Sequence, residues 1–168
     1  MGFQTSVNQY QVIGVPGEFA DDSPSRVAPY SCLANESAQP TVGYAFTQGS
    51  ADNEAKVGGT GAFLGVLVEP KQYANFANLN ASLAVNPGTN GEICSMGHIF
   101  VKSATQFAPG YVAAFANATG AISAYANAAA IPGSGYTQIP GKFIKVSGSA
   151  NGVGILELGS FEVIPAST

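Results

Sequence analysis

Glycine and proline punctuate this chain from end to end: 21 glycines and 10 prolines are spread over 168 residues. Proline removes a backbone donor and fixes φ, and glycine admits tight turns. Helices are therefore cut short, whereas brief extended segments joined by turns are not. Pro16-Gly17, Asp22-Ser23-Pro24 and Ala28-Pro29 stop any helix within 11–31 before it closes two turns. That stretch reads as turns and short extended pieces. Beyond it, apolar residues alternate with polar ones at the period of a strand. The predicted strands are Gly43–Thr47, Glu54–Val57, Ala62–Val68, Glu92–Met96, His98–Lys102, Tyr111–Phe115, Ala121–Tyr125, Lys142–Val146, Val153–Leu158 and Phe161–Ile164. Glu92–Met96 and His98–Lys102 are either two strands meeting at Gly97 or one strand bulged there. Lys71–Leu83, with Tyr73, Phe76 and Leu79 at i, i+3 and i+6, is the one segment with a helical pattern, and a loop is the alternative. The expectation is an all-β fold, a jelly-roll-like β-sandwich or compact barrel. An extended N-terminal arm (1–10) precedes a single β domain (11–168).

Ala62 to Val68 is the most apolar run and reads as a central strand. It is apolar at both parities, so both faces need cover. One parity, Phe63 and Leu67, is assigned to the core. The other, Leu64 and Val66, is assigned to an oligomer contact or an overlying loop. The arm carries Phe3, Val7 and Tyr10 and no charge, which suits it to lie extended against a partner.

Charge decides what the chain is not built for. Only 10% of residues are charged, against a usual share of about 25%. Six are basic, the net charge is −4, and no Lys/Arg run exists. Nucleic acid and anionic membrane surfaces are poor partners for such a surface. No apolar run approaches the ~18 residues of a membrane span. The N-terminus lacks the basic and apolar regions of a secretion signal, so the chain is expected to be cytoplasmic at synthesis, with Cys32 and Cys94 reduced.

Reactive chemistry is equally thin. His98 is the sole imidazole, so any His-based triad has to use it. It heads an alternating strand, where a hydrogen-bonded or solvated structural role is expected. Cys94 and His98 are two potential ligands where zinc takes three or four. Gly59, Gly61 and Gly65 lack the spacing and the following helix of a phosphate loop. Glu18, Asp21 and Asp22 lack the closing Glu of a calcium loop, and a solvated loop with an Asp22–Arg26 pair is expected instead. Glu69, Glu92 and Glu157 are the carboxylates that folding might pair. No catalytic, cofactor-binding or metal-binding residue is assigned, and no cofactor is implied. A turn-rich chain so poor in charge fits a scaffold whose surface touches other protein.

The order of short motifs then becomes informative. Phe3-Gln4-Thr5-Ser6-Val7-Asn8-Gln9, Gly14-Val15-Pro16-Gly17-Glu18-Phe19 and Asp22-Ser23-Pro24-Ser25-Arg26 open the chain. Gly58-Gly59-Thr60-Gly61-Ala62-Phe63-Leu64-Gly65-Val66-Leu67 follows, before Pro70-Lys71. Glu92 to Gly97, Pro109-Gly110-Tyr111-Val112 and Thr119-Gly120 complete the series. In this order the sequence resembles structural cement proteins of tailed bacteriophage capsids; residues 71–86 and 126–136 resemble them less. The resemblance implies a jelly-roll β-sandwich on the outside of the major capsid protein shell, bridging capsomers and stabilising the shell. It implies dimers or trimers at symmetry axes, with a homodimer preferred to a homotrimer. It also implies a virion location after assembly in the host cytoplasm, and no catalytic residues. The alternative is a carbohydrate-binding β-sandwich, lectin-like or a fibre module, with Tyr44, Tyr111, Tyr125 and Tyr136 as stacking faces.

Overall fold

A computed structural model describes residues 14–69 and 83–159 of the chain. The arm residues Phe3, Val7 and Tyr10, most of the Lys71–Leu83 segment and the expected strand Phe161–Ile164 lie outside the described residues. Within them the order is β1 (Arg26–Leu33), β2 (Ala45–Gln48), β3 (Glu54–Val57), β4 (Phe63–Leu67), β5 (Asn90–Lys102), β6 (Val112–Ala116), β7 (Ile122–Tyr125), β8 (Tyr136–Ile144) and β9 (Val153–Leu158). A single 3-10 turn, Ala128–Ala130, stands between β7 and β8. The fold is all-β, as the punctuation requires, and of the two architectures expected it takes the barrel.

The hydrogen-bonded order is β1-β3-β2-β4-β5, and β5 pairs back with β1, so these five strands close a ring. Inside it pack Cys32, Phe46, Ala55, Val57, Leu67 and Ile93, with each strand contributing. The far half of β5 leaves this barrel and pairs with β9, from Gly97↔Leu158 to Lys102↔Val153. The second sheet continues β9-β8-β6-β7. It curls until β7 meets the chain that follows β5: Ser103 bridges Ile122, and the Ala104 N–H donates to the Ile122 carbonyl at 2.8 Å. Its concave side holds the larger core of Ile99, Val101, Phe107, Phe115, Ile139, Phe143 and Leu156, which also receives Ala45, Val66 and Cys94 from the outer face of the barrel. One thirteen-residue strand thus serves two sheets. The change of partner falls at Gly97, whose φ of 130° most side chains avoid. The expectation of one strand rather than two is met, but the extra residue is Ser95 and not Gly97: Arg26 pairs with Met96 and the next residue, Val27, with Cys94.

A second weld holds the two parts. The β6–β7 turn reaches the barrel rim, where the Ala45 N–H donates to the Gly120 carbonyl and the Gly59 N–H to the Asn117 carbonyl. Asn35 Nδ2 also donates to the carbonyls of Asn117 and Ala118.

The strand Ala62–Val68 is buried on both sides, but with a parity the sequence pattern does not reveal. The β2–β4 register runs Phe46↔Gly65 and then Thr47↔Phe63, so Leu64 is an extra residue in a bulge. Side chains before and after it swap faces. Phe63 and Val66 turn to the larger core, and Leu64 and Leu67 to the barrel interior. Val66 and Leu67 are fully enclosed, while Phe63 and Leu64 are half-buried. The assignment of Val66 to an oligomer contact is corrected: its side chain is spent inside the monomer, because the bulge turns it inward. Leu64 alone of that pair retains exposed surface.

The bulge depends on Gly65. Its φ is 151°, and a Cβ built there would lie 2.1 Å from the Cys94 carbonyl oxygen on the neighbouring strand. Gly65→Ala must push β4 from β5 and is expected to cost about 3 kcal/mol or more, read as a lower urea midpoint. Leu64→Ala, on a half-buried side chain, is expected to cost about 1 kcal/mol. Equal effects of the two would refute the bulge.

Candidate functional site

The N-terminal described segment, 14–25, is a strap. The Gly17 N–H donates to the Phe100 carbonyl at 2.8 Å, the Phe100 N–H to Glu18, and the Ala20 N–H to His98 at 2.9 Å. The Glu69 N–H donates to the Gly17 carbonyl at 3.0 Å and ties the strap to the end of β4. Residues 17–20 thus run antiparallel to β5, and after the loop 21–25 the chain pairs with β5 again as β1. Ser25 lies over Gly97 of β5, close enough that a Cβ on this glycine would stand 3.0 Å from its own.

The charge of this region converges on the loop. Asp21 Oδ2 accepts from Lys145 Nζ at 2.7 Å and lies 2.8 Å from His98 Nδ1. The Ser23 N–H donates to Asp21 Oδ1 at 3.1 Å, and Ser23 Oγ lies 3.3 Å from His98 Nδ1. On the far side of the ring, His98 Nε2 is 3.7 Å from Glu157, which Lys142 approaches at 3.9 Å. Asp21, rather than Asp22 with Arg26, is the paired carboxylate of the loop. The trio Asp21, His98 and Ser23 has the composition of a nucleophilic triad but not its geometry. A triad needs the acid on one ring nitrogen and the hydroxyl on the other. Here both address Nδ1, and Nε2 faces a carboxylate, so no proton path links the hydroxyl through the ring to Asp21. Glu157 stands beside His98 on the neighbouring strand, whereas Glu92 is farther down β5 by about 20 Å of strand rise. These two carboxylates form no acid–base pair.

Cys32 and Cys94 lie on opposite sides of the barrel wall, one in each core. Burial pushes the Cys32 thiol up to about 11 and raises that of Cys94, so both stay protonated and poorly nucleophilic. Among the described residues no group of three or more His, Cys, Asp or Glu side chains is placed to hold a metal ion.

A polar cleft of about 600 Å³ opens at the weld between barrel and β6–β7 turn, with Asn35, Thr47, Gln48, Lys56 and Thr60 on its walls. Its polar groups serve the protein itself: Thr47 Oγ1 donates to Gly58, and Gln48 Nε2 to Ala51 and Glu54. No tyrosine lines it. Tyr125 and Tyr136 meet edge to face at 84°, while Tyr44 and Tyr111 pack against the two cores. They form no common stacking platform.

Among the described residues the large exposed apolar side chains are three, and they lie close together in sequence. Val15 (40% exposed) and Phe19 (37%) lie on the strap, and Val27 (40%) lies at the start of β1. Sequence reasoning passed over all three because turn signals dominate the stretch, although the apolar residues between those turns were visible. Of the expected contact residues, Leu64 is half-buried on β4, and Phe3, Val7 and Tyr10 lie just before the strap in sequence, outside the described residues.

The described residues thus form an all-β scaffold whose polar groups serve its own hydrogen bonds and whose strap carries exposed apolar side chains. The chain belongs to the structural cement protein family (E217 gp24/Pam3 gp6), whose family model matches residues 3–159. It is a phage capsid structural protein and a component of the virion. Its fold is shared with a chain in the capsid of Myoviridae Phage XM1, at a TM-score of 0.65 and 15% identity over 96% of this chain and 100% of that one. No curated protein matches the sequence.

The Asp21 carboxyl is held well below the usual carboxylate range, first by Lys145, then by Ser23 and His98. The folded state keeps it ionised where the unfolded chain takes up a proton. Its stabilisation is complete above the ordinary carboxylate pKa of about 4 and is lost as pH falls through the depressed value. Asp21→Asn is therefore expected to flatten the fall in Tm between about pH 5 and about pH 2, with a constant offset above pH 6. Parallel wild-type and variant curves across that range would contradict it.

Proposed function

We propose that this protein binds the outside of the major capsid protein shell and stabilises it by bridging capsomers. The observation that carries the reading is membership of the cement family across nearly the whole chain, combined with the exposed Val15 and Phe19 that the strap carries among the described residues. Phe3, Val7 and Tyr10 of the arm, continued by Val15 and Phe19, are the proposed shell contacts. Low charge supports this. Burying a neutral surface avoids the desolvation penalty of ions, and repeated modest contacts across a symmetric lattice sum to strong retention. Assembly takes place in the host cytoplasm under this reading. Self-association as a homodimer would use the part of Leu64 that the barrel core leaves exposed.

The test uses capsids stripped of this protein and measures rebinding by co-sedimentation. Deleting residues 1–10, or replacing Val15 and Phe19 together by Ser, is expected to weaken rebinding at least about tenfold, with the Tm of the free protein nearly unchanged. Full rebinding by both variants would overturn the assignment of the contact surface. No binding by the wild type would overturn the function. Leu64→Ser is expected to shift the free protein toward monomer in sedimentation while sparing the fold.

A further inference from the structure

The chain has six basic residues and one histidine, and it brings one of those bases and its only imidazole onto a single carboxylate. That carboxylate belongs to the strap and both partners belong to the second sheet: His98 on β5, and Lys145 just past the end of β8. Lys145 itself has a left-handed backbone, φ 64°, a conformation that disfavours a side chain and suits glycine. Its ammonium still meets Asp21 at 2.7 Å. Glycine in its place would relieve the backbone and lose only the contact. The strap is otherwise held by a few backbone bonds to β5 and to the end of β4 and by close packing of Gly14 on Phe100, Gly17 on Val42 and Pro16 on Gly43; within 14–25 only Gly17 is fully buried.

We propose that Asp21, Lys145 and His98 form an electrostatic latch that holds the strap to the second sheet, and that salt opens the strap as a unit while both sheets remain folded. The pairs are partly exposed, with 28% of the Asp21 and 54% of the Lys145 side chain accessible, so mobile ions reach them. Screening weakens such pairs and leaves the apolar cores intact. The other charges at the site, Glu157 on β9 and Lys142 on β8, are paired loosely with each other and with His98, and neither reaches Asp21. Opening is local because the strap lies outside both closed sets of strands. The strap carries Val15 and Phe19 and leads directly into the arm, so the latch sets whether these are presented in a fixed position. The latch is intrinsic to the free chain and does not depend on the capsid reading.

Hydrogen exchange of the free, full-length protein tests it by NMR. The strap probes are the amides of Gly17, Ala20 and Phe100, and the barrel probes are those of Gly58 and Leu67, which donate to Ala45 and Tyr44. Raising NaCl from about 0.01 M to about 1 M, which shortens the screening length from about 30 Å to about 3 Å, is expected to speed strap exchange about fivefold and leave barrel exchange unchanged. Asp21→Asn is expected to give the fast strap rates at low salt and to abolish their salt dependence. Lys145→Gly is expected to speed the strap amides while holding or raising the urea midpoint of the whole protein, a combination that a merely structural lysine would not produce. Salt-independent strap exchange in the wild type, or equal acceleration of strap and barrel amides in either variant, would overturn the latch.

Discussion

The structure depends on β5. Its thirteen residues supply a wall of the closed barrel and the first strand of the second sheet, and its backbone also receives the strap. A β-strand has two edges, and every N–H and C=O on them needs a partner when buried. β5 meets this demand by changing partners along its length: β1 and β4 near its start, β9 and the strap near its end. The exchange falls between Met96, the last partner of β1, and Gly97, the first of β9, just past the extra residue Ser95. The two cores then lie on either side of the barrel wall, so residues adjacent in sequence, Ile93 and Cys94 or Val66 and Leu67, feed different interiors.

This arrangement explains how a chain with so few charges holds a defined shape. Closure removes the edges of five strands, and a strand ring needs no charged side chains to guard them against pairing with other chains. Charge is then free for other uses. The ion pairs among the described residues gather around His98, where the strap meets β5, β8 and β9.

Local patterns made most strands legible. The β6–β7 hairpin was visible from Thr119-Gly120 between alternating segments, and the run Phe63–Leu67 from its apolarity, because turn chemistry and period-two alternation act over a few residues. β1 was not visible, since Pro24 and Pro29 in and beside it read as breakers. It exists because β5 and β3 flank it, pairing Pro29 with Glu92 in register. The face of Val66 was misjudged for a related reason. A bulge is set by a neighbouring strand's register, and Gly65 alone does not announce which residue is extra. The Asp21 cluster joins residues more than a hundred positions apart, and nothing local in sequence marks it.

By itself, the amino-acid sequence determined that this protein is all-β, turn-rich and poor in reactive groups, and its ordered motifs pointed to the cement family. Those properties follow from propensity, periodicity and composition, which are local or additive. Tertiary structure alone decided that the strands close into a barrel sharing one strand with a second sheet, that Val66 faces inward, and that Asp21 rather than Asp22 carries the ion pairs. Each of these depends on which distant segment supplies a strand's hydrogen bonds, and that choice is made by the whole chain satisfying its backbone and burying its apolar faces at once.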